Sequence, residues 1–351
     1  MTKVFIFYNV KNVDIRARFL HILEMYKILV AFIFCLATHA FAQESPTYYI
    51  SPSLKDGAPK MPLIRLDEKK LNASTSSAVV LESKSEHKKR ANKDNIKTKS
   101  PLTKTSPYEW DMQKYFGSKI FGGAVVVKSE DGKSVLANFK LRGMNPNDAD
   151  VVKFIKANCG VHWYAVAIAR HESRQRNYVF NQFNSSYYKP SIVGVPNCGM
   201  PDGWGIMQID SRRGSDILTN EVYNWQDNVR GGIKVMDKAR TEAIGYFNAI
   251  KRTFPDKWEN PPAYILLKGT NTKLSYLDAC TIQLYNGASV VRRLKTAFGT
   301  YSYYRSAFEF DENADEGERW RFKANVNNYV YKVVYHELEG NLKAVNEPLK
   351  K

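Results

Sequence analysis

The feature that most constrains the fold of this chain is a series of helix-length apolar patterns between Asn147 and Glu337. Asn147 is a residue type that caps helices, and apolar side chains follow it at helical spacing until Cys159. Further helical patterns cover Val161–Glu172, Asn228–Phe247, Leu274–Tyr285, Ser289–Phe298 and Arg321–Glu337. The long alternation of apolar and polar residues that a sheet would require is missing from this part of the sequence. These patterns predict a mainly α domain over residues 144–340, followed by a short tail at 341–351.

Two β-rich runs precede this domain. Phe121–Lys128 and Ser134–Leu141 flank Ser129–Gly132, a turn of the hairpin type. A lone hairpin is only marginally stable in water, so we expect this small element, residues 107–143, to pack against the helical domain. The predicted fold class is thus mainly α (α+β), with a small N-terminal β-hairpin.

Residues 43–106 have the composition of a linker. Between Ser83 and Lys104 there are eight Lys or Arg residues against two acids, with few large apolar side chains among them. Such a segment buries too little apolar surface to offset the entropy that is lost on ordering. We predict a basic, disordered linker.

The first 42 residues have the organisation of a secretory signal peptide. Lys27 precedes the apolar run Ile28–Ala37, and Ala40-Phe41-Ala42 supplies small residues for cleavage. The run is shorter than the roughly 20 residues of a spanning helix. We therefore expect cleavage, no stable membrane span afterwards, and export to the periplasm or outside the cell. An uncleaved anchor is the alternative, and Met25 is an alternative start.

The formal net charge of +17 indicates an anionic partner, which is a nucleic acid, a membrane surface or an acidic wall polymer. The export signal and the lack of a nucleic-acid-binding motif argue against nucleic acid. No Cys/His cluster in the sequence has the spacing of metal ligands, so we predict no structural zinc. We expect the protein to need no other metal and no organic cofactor.

Glu172 is the candidate for catalysis. It ends a largely apolar helix, which places its carboxyl group between a packed core and a cleft. Partial desolvation there raises the pKa of a Glu toward the range of a general acid, and cleavage of a glycosidic bond needs such a donor. Taken alone, an exposed Glu paired with Arg170 or Arg174 is the simpler interpretation.

Later segments add groups that suit a carbohydrate cleft. Gly203 and Gly205 allow a tight turn, and Gln208 offers both a donor and an acceptor to an amino sugar. Tyr285 supplies a phenol that can hydrogen-bond to a carboxyl group, and Asn286 supplies an amide for substrate.

The order of Glu172-Ser173, Gly203–Gln208, Tyr285–Ala288 and Asn328–Val330 resembles the signature of the lysozyme-like glycoside hydrolase family 23. This family includes the soluble lytic transglycosylases and the goose-type lysozymes, and the resemblance spans residues 147–337. It implies that Glu172 is the catalytic acid/base and that Tyr329 orients it. The implied substrate-binding residues are Ser173, Gly203, Gly205, Met207, Gln208, Tyr285 and Asn286.

The sequence departs from the family pattern at two places. The small residues Gly287 and Ala288 are exchanged relative to the usual order. The segment between Glu172 and Gly203 is longer than in most members, and its aromatic residues suit either stacking on sugars or packing within the loop: Tyr178, Phe180, Phe183, Tyr187 and Tyr188.

The resemblance predicts a lytic transglycosylase that acts on peptidoglycan glycan strands and forms 1,6-anhydromuramoyl ends with Glu172 alone. The alternative is a goose-type muramidase in which Asp210 or Asp202 positions water, because hydrolysis usually requires a second carboxylate. A non-catalytic cell-wall-binding protein is an alternative of another class. A role beside a cell-envelope secretion apparatus is compatible with the same chemistry.

Overall fold

A computed structural model describes residues 27, 45–52, 58–72, 77–86, 94–102, 109–174, 192–199, 203–210, 217–267, 269–286, 290–296, 299–304, 308–322 and 329–338, with the backbone alone at 290–296, 299–304, 308 and 336. Contacts divide the chain into two compact units, Met1–Pro46 and Thr47–Lys351. In the first unit only Lys27, Ser45 and Pro46 are described, so the predicted signal peptide lies outside the described residues. No helix within the described ranges has the length and apolar character needed to cross a membrane.

The N-terminal part of the second unit is built on strands. They are β1 (Thr47–Ile50), β2 (Leu63–Arg65), β3 (Ala78–Lys84), β4 (Ile96–Pro101), β5 (Glu109–Asp111), β6 (Gly123–Ser129) and β7 (Val135–Gly143). Five of them form one mixed sheet in the order β1-β7-β6-β3-β4, with β1 parallel to β7 and the other neighbours antiparallel. The short strands β2 and β5 pair with each other.

The predicted fold class is wrong, because this five-stranded sheet makes the protein an α+β fold and not a mainly α one. The predicted hairpin is confirmed as the antiparallel pair β6–β7, but it is the centre of a larger sheet. Strands β1 to β4 come from residues 43–106, so the prediction of disorder does not hold for them.

The charges that suggested disorder lie on one face of a strand. Val79 and Leu81 of β3 are fully buried, whereas Lys97 and Lys99 of β4 face solvent. Lys97 pairs with Glu82 at 3.2 Å, and Lys99 pairs with an acid in the β6–β7 turn at 2.6 Å. Composition averages over both faces of a strand and therefore hides this alternation.

The helices follow the sequence patterns more closely. They are α1 (Glu68–Asn72), α2 (Met112–Phe116), α3 (Asp148–Asn158), α4 (Ala165–Ser173), α5 (Thr219–Tyr223), α6 (Trp225–Thr253), α7 (Tyr276–Tyr285) and α8 (Tyr329–Lys332), which continues as the π-helical turn Val333–Leu338. The predicted cap is confirmed, since the side chain of Asn147 accepts a hydrogen bond from the amide of Asp150 at 2.8 Å.

Small sheets of two or three strands lie among these helices. Their strands are β8 (Cys198–Gly199), β9 (Gly203–Trp204), β10 (Ile209–Asp210), β11 (Tyr264–Leu266), β12 (Lys273–Ser275), β13 (Val290–Thr296), β14 (Gly299–Tyr304), β15 (Phe308–Phe310) and β16 (Trp320–Phe322). The helix predicted at Ser289–Phe298 is wrong, because β13 pairs there with β14. The helix predicted at Arg321–Glu337 is wrong at its start, because Arg321 and Phe322 belong to β16; the described helix within this range is α8 with its continuation to Leu338. Short apolar runs do not separate strands from helices by periodicity alone.

The sheet and the helices are joined by hydrogen bonds within the second unit. The indole of Trp225 donates to the carbonyl of Pro52 at 3.0 Å, and the amide of Ile120 donates to the side chain of Asn220 at 2.8 Å. These contacts connect α5 and α6 to the segments that follow β1 and precede β6.

Candidate functional site

Glu172 lies in the last turn of α4. The preceding residues Ala165, Ala167, Ile168 and Ala169 are buried, while Glu172 itself is half-buried. The helix ends at a left-handed residue, Arg174, with φ 53° and ψ 36°. A buried helix that stops here holds a carboxyl group at the edge of the core.

The hydroxyl of Tyr329 donates a hydrogen bond to Oε1 of Glu172 at 2.5 Å. Tyr329 is the first residue of α8, and its side chain is buried. The ring of His171 packs edge-on against the ring of Tyr329, with centroids 5.2 Å apart. On its other side, Nδ1 of His171 lies 3.8 Å from Oε1 of Glu337. Tyr329 is therefore held between the general-acid candidate and a packed imidazole.

Glu172 opens into a pocket of about 240 Å³. Its lining residues are all polar: His171, Glu172, Asn286, Tyr329 and Lys332. Glu172 is the single acid among the described residues that line it. Such a pocket offers one proton donor, an amide and a cation to a ligand.

Two hydrogen bonds attach the segment 203–210 to the helices beside this pocket. The hydroxyl of Ser173 donates to the carbonyl of Ile206 at 2.6 Å, and the phenol of Tyr285 donates to the carbonyl of Met207. The side chain of Met207 is fully buried. Ser173, Met207 and Tyr285 thus connect α4, the loop and α7, and do not line the pocket.

The base of α4 is held by a partly buried polar network. Trp163 and Arg240 both donate to the carboxylate of Asp278, at 3.2 and 2.7 Å. Burial, and secondarily the charge of Asp278, raise the pKa of Tyr164 above its ordinary value, so the phenol stays neutral. The network ties α4 to α6 and α7 at the end opposite to Glu172.

The predicted substrate-binding residue Gln208 is turned toward its own loop. Its backbone has φ +47°, and its side-chain amide donates to the carbonyl of Gly205 at 2.7 Å. A Cβ at Gly199 would lie 2.2 Å from Oε1 of Gln208, and one at Gly203 would lie 2.9 Å from it. Gly205 has φ +72°, a left-handed conformation that favours glycine. The glycines therefore shape the loop around Gln208.

The predicted second carboxylate, Asp210, is half-buried in β10 and is paired in register with Gly203 of β9. It is not among the described residues that line the Glu172 pocket. Asp202 and the aromatic residues of the insert lie outside the described residues. The structure thus brings Glu172, Asn286 and Tyr329 together in the pocket.

Sequence reasoning missed the residues of α6 that hold the loop 203–210 in place. Asn228 of α6, which is fully buried, accepts from the amide of Met207 at 2.8 Å and donates to the carbonyl of Trp204 at 2.9 Å. Gly231 and Gly232, one turn later, leave room for the side chains of the loop. The sequence signal for this contact was the pair of adjacent glycines within a helical pattern. Glycine destabilises a helix, so its presence there usually indicates that another part of the chain packs closely against the helix.

Sequence reasoning also missed His171 and Lys332. Both line the pocket, one beside Glu172 in sequence and the other three residues after Tyr329. The helical spacing of Lys332 from Tyr329 was the signal that could have identified it.

Comparisons with models of protein families, with curated proteins and with solved structures found no match to this chain. The resemblance to glycoside hydrolase family 23 consequently depends on the short motifs around Glu172. In the described part of the chain, no group of three or more His, Cys, Asp or Glu residues is arranged to hold a metal ion.

Proposed function

We propose that this protein is a peptidoglycan lytic transglycosylase that cleaves the β-1,4 bond between N-acetylmuramic acid and N-acetylglucosamine. The observation that carries the proposal is the hydrogen bond from Tyr329 to Glu172 inside a polar, open pocket. This hydrogen bond supports the proposal because it holds the Glu172 carboxyl group in one orientation, at a site that a sugar can reach. Action on the wall implies export, for which residues 1–42 remain the proposed signal.

In the proposed reaction, protonated Glu172 first donates its proton to the glycosidic oxygen. The bond from C1 of the muramoyl residue to that oxygen breaks, and the carbonyl oxygen of the muramoyl N-acetyl group bonds to C1. The Glu172 carboxylate then removes the proton of the C6 hydroxyl. O6 bonds to C1 and displaces the N-acetyl oxygen, which closes the 1,6-anhydro ring and leaves Glu172 protonated for the next cycle.

The pocket favours this chemistry over the Asp210-dependent muramidase. A hydrolase that activates water uses a second carboxylate across the scissile bond. Glu172 is the single acid among the described lining residues, and Asp210 lies in β10 beside Gly203. Internal assistance by the substrate requires only one protein carboxylate, and among the described lining residues Glu172 provides it.

Tyr329 and Asn286 have separate proposed roles. Tyr329 holds the Glu172 carboxyl group in one rotamer, because its hydroxyl donates to Oε1. Asn286 caps the end of α7, where its exposed amide can bind the N-acetyl group or a hydroxyl group of the sugar. The bond from Tyr285 to the carbonyl of Met207 holds that end of α7 in place.

The experiment is digestion of purified peptidoglycan by the full chain, with mass spectrometry of the products. We expect 1,6-anhydromuramoyl ends from the wild type and no cleavage by Glu172→Gln. Glu242→Gln, which changes an exposed acid on α6, is the matched control and should retain activity. Reducing ends would show a hydrolase, and wall binding without cleavage would show a binding protein; either result contradicts the proposal.

A further inference from the structure

The pocket contains a cation, Lys332, whose side chain has no partner among the residues that the structure describes. Lys332 is half-buried, lines the pocket together with Glu172, and makes no hydrogen bond or ion pair within the described part of the chain. Arg240, which is also half-buried, is by contrast paired with Asp278 at 2.7 Å.

The side-chain amide of Asn286 resembles Lys332 in this respect. Its side chain lines the pocket, is exposed, and has no hydrogen-bond partner among the described residues. An ammonium group and an amide that line one pocket provide donors for an anionic oxygen. Because Lys332 follows Tyr329 by three residues, both lie on one side of α8, next to Glu172.

We propose that Lys332, assisted by Asn286, binds a carboxylate of the muramoyl residue whose glycosidic bond is cleaved. The proposal rests on the function proposed above. The carboxylate has two possible sources in peptidoglycan. One is the lactyl group of strands from which the peptides have been removed, and the other is the peptide stem itself.

An alternative role for Lys332, an effect on the ionisation of Glu172, predicts a different dependence of activity on the substrate. An ammonium group favours the ionised form of a nearby carboxylate, so Lys332 would then act on Glu172 directly. That effect would be the same for charged and neutral substrates. Recognition of a substrate carboxylate affects only the charged ones.

The test compares three substrates: strands with peptide stems, strands stripped of peptides by an amidase, and strands whose carboxylates have been chemically amidated. The wild type, Lys332→Gln and Lys332→Glu are assayed on each. Lys234→Gln, at an exposed lysine of α6, is the matched control for loss of a charge. Melting temperatures of all variants show whether they fold.

We expect Lys332→Gln to lose roughly tenfold to a hundredfold in kcat/KM on one or both charged substrates, mainly through KM, as for loss of a charge-assisted hydrogen bond. Lys332→Glu should lose more on the charged substrates, and Lys332→Gln should match the wild type on amidated strands. The charged substrate that shows the loss identifies the source of the carboxylate.

An equal loss on amidated strands, or no loss on either charged substrate, overturns the proposal. Lys332→Glu, like Lys332→Gln, keeps a long polar side chain at the site. A stability defect common to both variants would lower activity on all three substrates, and such a uniform loss counts against recognition. Failure of the proposed function is distinguished by Glu172→Gln: if that variant still cleaves the strands, the function is wrong whatever Lys332 does.

Discussion

The hydroxyl of Tyr329 lies 2.5 Å from Oε1 of Glu172, although the two residues are 157 positions apart in the chain. Helix α4 brings the carboxyl group to the edge of the core, and the first residue of α8 brings the phenol to meet it. The rings of His171 and Tyr329 pack edge to face, which keeps the phenol in place independently of its hydroxyl.

Removal of that hydroxyl should slow catalysis without unfolding the protein. In Tyr329→Phe the ring contact with His171 remains, but Glu172 loses its orienting hydrogen bond. We expect kcat to fall about tenfold to a thousandfold with little change in KM, because orientation acts in the reaction more than in binding. Turnover of peptidoglycan with melting temperature as control measures this, and activity within twofold of the wild type would contradict it.

The loop beside the pocket depends on Asn228. This buried amide bonds to Met207 at 2.8 Å, to Trp204 at 2.9 Å and to the carbonyl of Glu221 at 2.8 Å. Asn228→Ala leaves these buried groups unsatisfied, so the free energy of unfolding should fall by about 3 kcal/mol. Urea denaturation measures it, and Asn248→Ala, at an exposed position of α6, should change it by less than about 0.5 kcal/mol. Equal effects of the two variants would show that the contacts of Asn228 do not stabilise the loop.

The sheet should be sensitive to acid through Glu82. Hydrogen bonds from Lys128 and Lys97, on the strands either side, lower the pKa of this carboxyl group below its ordinary 4.5. A folded-state pKa below the unfolded one contributes stability above pH 4.5 that is lost as the pH falls through the folded value. Melting temperatures between pH 7 and pH 3 should fall less steeply for Glu82→Gln than for the wild type. Parallel curves for the two proteins would exclude this contribution.

The motifs around Glu172 were visible in the sequence because each depends on a local pattern. The apolar run ending at Glu172 predicted its position at the edge of the core, and Asn147 predicted the start of α3. Gln208 shows the limit of such patterns. Its place in a motif predicts contact with substrate, and that stays a prediction; the left-handed backbone at that residue and the hydrogen bond of its amide to Gly205 were not visible in the sequence.

The sheet was not predictable from composition, because its stability depends on pairs that are distant in sequence. Lys97 and Lys99 look like part of a solvated run until Glu82 and Glu130 are placed opposite them. The same holds for Lys332, whose position in the pocket depends on α8 packing beside α4. Long-range pairing of this kind leaves no periodic signal in a single sequence.

Substitution of two glycines of α6 tests how closely the loop 203–210 packs against that helix. A Cβ at Gly232 would lie 2.5 Å from Cβ of Met207, whereas a Cβ at Gly245 meets nothing within 4 Å. Gly232→Ala must therefore displace Met207, whose carbonyl accepts from Tyr285, and should cost about 1–3 kcal/mol of unfolding free energy and lower activity. Gly245→Ala should stabilise the helix by about 0.5–1 kcal/mol and leave activity unchanged. Urea denaturation and peptidoglycan turnover measured on both variants check this, and a stabilising Gly232→Ala would show that the loop does not pack on α6 through Met207.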